Sequence, residues 1–185
     1  MIITITGEPG SGKSTIGKKL AQELGYDHYY IGQIRRDAAK ERGMTLAEYN
    51  KYGETHPETD IEVDNYQKNL GKEKNNFVIE GRTSWFLIPH STKIYIAVDP
   101  EEGAKRVFKE LQVDNNRNED NGLLTLTDVL RSHREREASD MLRYQKYYQK
   151  DCSDKNNFDL VVNTTKLNPK EAFDAVWSHI KETIK

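Results

Sequence analysis

Short apolar segments stand out from an otherwise polar chain and predict the strands of a sheet. The clearest segments are Ile2–Thr6, Phe77–Ile79, Lys93–Val98 and Leu160–Val162, and a weaker candidate is His28–Ile31. These segments are continuous rather than alternating and are rich in β-branched residues. They therefore favour strands buried on both faces of a parallel sheet.

Segments with helical periodicity lie between the predicted strands. Ile16, Leu20 and Leu24 recur every four positions, and Gly25 follows them as a helix C-cap. Helix-start signals, either an N-cap followed by proline or a capping box, occur at Thr45, Asp99, Thr125 and Asn168. Strands that alternate with capped helices predict an α/β fold with a parallel sheet.

Composition and charge exclude several classes of protein. The 185 residues include 28 Lys and Arg against 30 Asp and Glu, a net charge of −2, so no basic excess favours nucleic-acid binding. No apolar run approaches the ~20 residues of a membrane span. Met1–Gly7 lacks the features of a signal peptide, and Cys152 is the single cysteine. We therefore expect a cytoplasmic protein that acts on neither nucleic acid nor membranes.

One motif predicts a nucleoside triphosphate site. Gly7–Ser14 matches G-x-x-x-x-G-K-[ST] between a predicted strand and an amphipathic helix, which is the context that this motif requires. Its glycines let backbone N–H groups surround phosphates, Lys13 supplies a cation, and the Ser14 hydroxyl is a candidate Mg²⁺ ligand. The predicted ATP-binding residues are Gly7, Glu8, Pro9, Gly10, Ser11, Gly12, Lys13, Ser14 and Thr15.

Arginines placed after strands indicate a second anionic ligand beside the triphosphate. Arg82 follows the third strand, and Arg36 follows the weaker second one, at the sheet edge where ligands bind in open α/β folds. The guanine-binding motif of switch GTPases is missing from the sequence. Glu80 ends the third strand, and two roles stay open for it: a water-mediated contact to Mg²⁺ or orientation of Arg82.

A helix after the predicted loop carries a candidate phosphate clamp. Arg136, Asp140 and Arg143 are spaced by four and three residues, so their side chains share one helix face. Two guanidiniums around a carboxylate suit a transferring phosphoryl group. The alternative is a solvated face with ordinary salt bridges, because Glu135 and Glu137 are interleaved.

These motifs together resemble the nucleoside monophosphate kinases, and most closely the short archaeal-type cytidylate kinases. The matching segments are Gly7–Thr15, Gly32–Arg36, Ala39–Met44, His56–Asp60, Val78–Arg82, Arg136–Asp140 with Arg143–Tyr144, and Asp159–Thr164. The resemblance implies a P-loop NTPase-type three-layer α/β/α fold with a five-stranded parallel sheet. It also implies transfer of a phosphoryl group from ATP, with Mg²⁺, to CMP or dCMP. We expect a monomer.

The resemblance further implies roles for individual residues and a division of the single domain 1–185. Arg36 and Arg82 correspond to arginines that bind the acceptor phosphate, and Arg136, Asp140 and Arg143 to the catalytic lid residues that act with Lys13. The core comprises 1–32, 74–111 and 151–185; 33–73 is the helical monophosphate-binding segment, and 112–150 contains a mobile loop, 112–124, and the lid helix.

The acceptor is the least determined feature. Asp60 and Asp64 lie four residues apart on a predicted helix, where they face either the cytosine amino group, the sugar or solvent. Four residues depart from the family pattern near the acceptor: Ile31, Gln33, Arg35 and Thr83. Two alternatives therefore stay open: a P-loop kinase for another nucleotide or small metabolite, and a nucleotide-binding protein without transferase activity.

Overall fold

The computed structural model describes residues 1–113 and 123–184, so most of the predicted loop at 112–124 lies outside it. Five parallel strands form one sheet in the order β2-β3-β1-β4-β5. The strands are β1 (Ile2–Gly7), β2 (Asp27–Tyr30), β3 (Phe77–Glu80), β4 (Thr92–Ala97) and β5 (Leu160–Asn163). The five-stranded parallel sheet is confirmed, including the weaker second strand.

Burial differs between the centre and the edges of the sheet. Every residue of β1 and β3 is buried, as their continuous apolar sequences predict. The expectation of burial on both faces is wrong for β5, where Val161 is 41% exposed. This strand forms an edge of the sheet, and α8 packs against it.

Eight helices accompany the sheet within the described residues. They are α1 (Lys13–Leu24), α2 (Ile31–Glu41), α3 (Leu46–Gly53), α4 (Glu58–Glu73), α5 (Ser84–Leu87), α6 (Pro100–Leu111), α7 (Leu126–Tyr148) and α8 (Pro169–Ile184). Thr45 and Thr125 form the predicted capping boxes, and Asp99 accepts hydrogen bonds as an N-cap. Within residues 1–113 and 123–184, no helix is long and apolar enough to span a bilayer.

Two apolar clusters on opposite faces of the sheet produce three layers. On one face, residues of α1 and α8 such as Leu20 and Val176 pack against the strands. On the other face, Leu70 of α4 and Ile88 after α5 cover Phe77 of β3. The predicted three-layer α/β/α fold is confirmed. The long helix α7 packs against α6 and α3, which brings its polar face towards the carboxyl ends of the strands.

Candidate active site

A cavity of about 590 Å³ lies at the carboxyl ends of the parallel strands, where ligands bind in such sheets. Its walls come from the loop after β1, the start of α2, the α4 helix, the segment after β3, and α7. Most predicted site residues line it: Gly7, Pro9, Gly10, Ser11, Gly12, Lys13, Ser14, Thr15, Arg36, Asp60, Asp64, Arg82, Arg136 and Asp140. The cavity therefore joins residues that are far apart in the sequence.

The loop after β1 is held by close backbone contacts that only glycine permits. A Cβ added to Gly7 would lie 2.1 Å from the Ile96 carbonyl oxygen, and one added to Gly10 would lie 2.2 Å from the Gly103 carbonyl oxygen. Gly10 also has a φ of +73°, which disfavours other residues. Lys13 Nζ donates to the Glu8 carbonyl at 3.0 Å, so the ammonium group lies across the loop.

Glu8 contributes to this loop differently from its neighbours. Its carboxylate accepts a hydrogen bond from the Tyr95 hydroxyl at 2.9 Å and another from the Val98 backbone N–H at 3.1 Å. Burial and the negative charge of Glu8 raise the pKa of Tyr95, so the phenol stays a donor. The Glu8 side chain thus fastens the loop to β4, and only its backbone is available for a nucleotide.

The residues next to the loop fit a magnesium ion with mainly non-protein ligands. Ser14, in the first turn of α1, lines the cavity together with Glu80, which is 1% exposed at the end of β3. Glu80 Oε1 lies 2.5 Å from His28 Nε2, whereas Oε2 forms no hydrogen bond within the described residues. Among residues 1–113 and 123–184, no group of three or more His, Cys, Asp or Glu is close enough together to hold a metal. Mg²⁺ prefers oxygen ligands and retains water and phosphate, which suits this sparse set.

Buried ion pairs connect the helices on the opposite side of the cavity. Asp140 lies 2.5 Å from Arg82 Nε and also accepts a hydrogen bond from Arg143 Nη2. Arg143 Nη1 contacts both oxygens of Asp60, at 2.5 and 2.6 Å, and Arg35 Nη1 donates to Asp60 at 2.8 Å. The network therefore alternates in sign from α2 through α4 and α7 to the segment after β3.

The position of Arg143 differs from the predicted phosphate contact. Its side chain is fully buried between Asp60 and Asp140, whereas Arg136 and Asp140 line the cavity. Burial alone would raise the pKa of Asp140, but the guanidiniums of Arg82, Arg143 and Arg136 outweigh it and hold the pKa below its usual value. Helical spacing placed the three residues on one face but could not distinguish the cavity wall from the layer behind it. We therefore propose a positioning role for Arg143, and its predicted contact with a phosphate stays a prediction.

The two aspartates of α4 have different partners. Asp60 lines the cavity and forms ion pairs with Arg35 and Arg143. The predicted contact from its carboxylate to the nucleoside stays a prediction. Asp64 instead accepts hydrogen bonds from the Thr83 hydroxyl at 2.8 Å and from Gln67 Nε2 at 2.9 Å. Burial raises the pKa of Asp64, and hydrogen bonding to its carboxylate offsets part of that increase.

Sequence reasoning missed several residues of this wall. Gln67 and Tyr30 line the cavity, and the Tyr30 hydroxyl accepts a hydrogen bond from Arg36 Nη1 at 2.9 Å. Arg35, noted only as a departure, links α2 to Asn50 of α3 through Nε at 2.8 Å. Of these residues, only Gln67 could have been predicted from the sequence. It follows Asp64 by three residues and therefore lies on the same helix face.

The glycine loop, the parallel sheet and the cavity between them define a P-loop kinase. Residues 2–166 match the cytidylate kinase-like family, and the chain belongs to that family. It is 36% identical over 177 residues to a cytidylate kinase of Pyrococcus horikoshii, covering 95% of this chain and 86% of the relative. It is 38% identical over 186 residues to a cytidylate kinase of Methanocaldococcus jannaschii, covering 97% of each chain. The predicted family is confirmed.

Solved structures support the fold. An uncharacterised protein from Eubacterium ventriosum superposes with a TM-score of 0.68 at 21% identity, covering 98% of both chains. A shikimate kinase from Bacteroides thetaiotaomicron has a TM-score of 0.64 at 14% identity, covering 100% of this chain and 98% of the other. At such identities the likeness establishes the P-loop kinase fold alone.

Proposed function

We propose that this protein transfers the γ-phosphoryl group of ATP to CMP or dCMP, giving ADP and CDP or dCDP. The observation that carries the proposal is that the phosphate-binding loop and Arg36, Arg82 and Arg136 line one cavity. A triphosphate and a monophosphate bound there would have their phosphates between Lys13 and these arginines. The relatives are named cytidylate kinase, and we therefore propose cytosine as the base of the acceptor nucleotide.

The donor end of the cavity, residues 7–15, binds the phosphates of ATP through backbone N–H groups and the start of α1. Lys13 places a positive charge against the outer phosphates. Ser14 is the proposed protein ligand of Mg²⁺, and Glu80 would bind a water ligand of the ion. The metal supplies neutralisation of phosphate charge when it is bound.

The acceptor end of the cavity comprises Arg36, Arg82 and Arg136 together with the residues that position them. Guanidiniums bind phosphate oxygens through paired N–H groups, which fixes orientation as well as charge. Asp140 holds Arg82 beside the cavity, and Arg143 in turn holds Asp140. Of the catalytic residues predicted on α7, Arg136 is therefore the one that we propose contacts the transferring group.

The reaction needs positioning rather than covalent catalysis. An oxygen of the acceptor phosphate forms a bond to the γ-phosphorus while the bond from that phosphorus to the bridging oxygen of ADP breaks. The second pKa of a phosphate monoester is about 6, so the acceptor oxygen is largely deprotonated near neutral pH without a general base. Lys13 and the arginines compensate the charge that spreads over the transferring group.

The remaining properties follow the predictions made from the sequence. We propose a cytoplasmic monomer, since one chain supplies every residue assigned to the cavity. The helical segment 33–73 covers the acceptor, and the lid helix α7 closes over the triphosphate and excludes water. Hydrogen exchange with and without a bisubstrate analogue tests the closure, because unchanged protection in α7 would contradict it. Sedimentation at micromolar concentration tests the monomer.

A panel of acceptors tests the proposed activity. ADP release is followed with ATP and Mg²⁺ in the presence of CMP, dCMP, UMP, AMP or GMP. We expect CMP and dCMP to give the highest kcat/KM. Equal or faster turnover of AMP or GMP would contradict the assignment of the acceptor. ATP binding without turnover of any acceptor would contradict transferase activity.

A further inference from the structure

The wall formed by α4 and the segment after β3 is a buried polar arrangement with no partner in the phosphate machinery. Asp64, Gln67 and Thr83 all line the cavity and are at most 4% exposed. Gln67 Nε2 donates to Asp64 Oδ1 at 2.9 Å and to the Thr83 hydroxyl at 3.0 Å. Ser84 Oγ donates to Gln67 Oε1 at 2.6 Å, so both ends of the amide are fixed.

A close approach of backbone makes this arrangement rigid. A Cβ added to Gly81, directly after β3, would lie 2.3 Å from Ser84 Oγ and 3.2 Å from Gln67 Oε1. The glycine therefore lets α4 and the start of α5 meet against the end of the strand. Rigid support of this kind is what a selective hydrogen-bonding site needs, because its groups cannot rotate to suit a different ligand.

The hydrogen bonds of the wall leave one acceptor unused. A carboxylate offers two oxygens, and both donors described above converge on Asp64 Oδ1. Oδ2 is buried and accepts no hydrogen bond from the described residues. The Tyr148 hydroxyl faces Asp64, and burial, followed by hydrogen bonding to Asp64 and the charge of that carboxylate, raises the pKa of the phenol. Neither the Tyr148 hydroxyl nor Asp64 Oδ2 has a partner at full hydrogen-bond distance and angle within the described residues.

Asp60 provides a contrast on the same helix face. Its two oxygens receive three contacts from Arg35 and Arg143, and these leave it compensated in charge. Asp64 has no arginine partner among the described residues and depends on neutral donors. A buried carboxylate with an unused oxygen is costly unless a ligand completes its hydrogen bonds. Of the two aspartates, only Asp64 is therefore suited to accept a proton donor from the substrate.

We propose that Asp64 selects the pyrimidine by accepting a hydrogen bond from the exocyclic amino group of cytosine, with Thr83 and Gln67 as its positioning residues. This inference rests on the proposed function, because it assumes that the acceptor is a nucleoside monophosphate. The amino group of CMP donates to the carboxylate. UMP carries a carbonyl oxygen at the same position. This oxygen and the Asp64 carboxylate are both hydrogen-bond acceptors, so no hydrogen bond would form between them. The wall thus favours CMP over UMP at the base rather than at the phosphate.

The test measures kcat/KM for CMP and for UMP in the wild type and in Asp64→Asn. The variant amide can donate to the uracil carbonyl, so we expect the CMP/UMP ratio of kcat/KM to fall by about 10- to 100-fold. The KM for ATP should stay within about twofold. Glu62→Gln, an exposed carboxylate on the same helix, is the matched control and should leave the ratio unchanged.

A second variant pair keeps the proposal testable if Asp64→Asn does not fold. Thr83→Val removes the hydroxyl that fixes the carboxylate and should raise the KM for CMP more than it lowers kcat, whereas Thr83→Ser should restore the wild-type KM. Tyr148→Phe should leave the CMP/UMP ratio unchanged, since the phenol is not the partner of Asp64 in this proposal.

The outcomes separate this inference from the proposed function. If the wild type phosphorylates neither CMP nor UMP, the proposed function fails. If the wild type prefers CMP and the ratio is unchanged in folded Asp64→Asn, only the inference fails. Where Asp64→Asn does not fold, an unchanged KM for CMP in Thr83→Val has the same consequence. An equally large fall in the CMP/UMP ratio in Tyr148→Phe would also overturn the inference. The hydrogen bonds of Asp64 would then be completed by the Tyr148 hydroxyl of α7 rather than by the base.

Discussion

The donor and acceptor ends of the cavity are built in contrasting ways. Backbone contacts fix the donor end: Gly7 and Gly10 lie so close to the carbonyl oxygens of Ile96 and Gly103 that no side chain fits. Side-chain charge fixes the acceptor end, where Asp60 and Asp140 hold arginines from separate helices. One end therefore depends on the absence of a side chain at Gly7 and Gly10, and the other on ion pairs between buried side chains.

This difference predicts how activity and stability should change when residues at each end of the cavity are substituted. A site formed by backbone groups is disrupted when a side chain is introduced. The effect stays local, because the steric clash lies within the loop. A buried network loses more than one contact when a member is removed, since the remaining charges stay in a medium that solvates them poorly. The donor end should thus show local kinetic effects, and the acceptor end should couple activity to stability.

The largest effect is expected at the donor end, from Lys13→Met. The substitution removes the ammonium that lies across the loop, and we expect kcat to fall by about 10³-fold while the fold is retained. Steady-state kinetics and thermal unfolding measure the two quantities. Lys18→Met, at an exposed position of the same helix, is the control. A kcat within tenfold of the wild type would contradict the assignment of Lys13 to the triphosphate.

At the acceptor end, Arg143→Met should mainly reduce stability. The variant leaves Asp60 and Asp140 without a shared partner, and removal of one member of a buried ion pair costs about 3–5 kcal/mol. We expect an equivalent loss in the free energy of unfolding in urea, together with a higher KM for CMP. Arg131→Met on the exposed side of α7 is the matched control and should cost less than about 1 kcal/mol. Equal stability of the two variants would disprove the buried network.

A smaller effect is expected from Gly10→Ala. The added methyl group clashes with the Gly103 carbonyl, so the loop must shift away from it. We expect the KM for ATP to rise by about 10- to 100-fold, and the KM for CMP to stay near its wild-type value. The comparison between the two ends fails if both KM values rise together. Initial rates with each substrate varied at saturating levels of the other provide the measurement.

The smallest effect is expected from Thr45→Ala, outside both ends. Thr45 caps α3 by accepting a hydrogen bond from the Glu48 N–H at 3.2 Å. Loss of an N-cap costs about 1 kcal/mol in the free energy of unfolding. Neither KM value should change. A raised KM for CMP would show that the position of α3 helps to set the geometry of the acceptor end. Ion pairing alone would then not be enough to fix that geometry.

The same contrast explains what the sequence could predict. The donor end is a contiguous motif between a strand and a helix, so local pattern was enough to assign Gly7–Thr15. The strands of the sheet could also be predicted, because buried parallel strands have continuous apolar sequences. Only the exposure of Val161 differed, because the strand order that places β5 at an edge is a property of the whole sheet.

The acceptor end was predicted only in part, because it is assembled from distant segments. Helical spacing placed Arg136, Asp140 and Arg143 on one face, yet only packing against α4 shows that Arg143 is buried behind the cavity. Spacing likewise made Asp60 and Asp64 equivalent. Their roles diverge because Arg35, on another helix, reaches only Asp60. Such a contact leaves no signature in the sequence around either aspartate.

Calorimetric binding of ATP and of CMP to Arg82→Lys tests most directly the claim that one cavity has two independently built ends. Lysine keeps the charge but lacks the paired N–H groups that orient a phosphate and the Nε that contacts Asp140. We predict that CMP affinity falls about tenfold or more while ATP affinity stays within twofold of the wild type. Equal losses for both nucleotides, or a loss confined to ATP, would contradict the account.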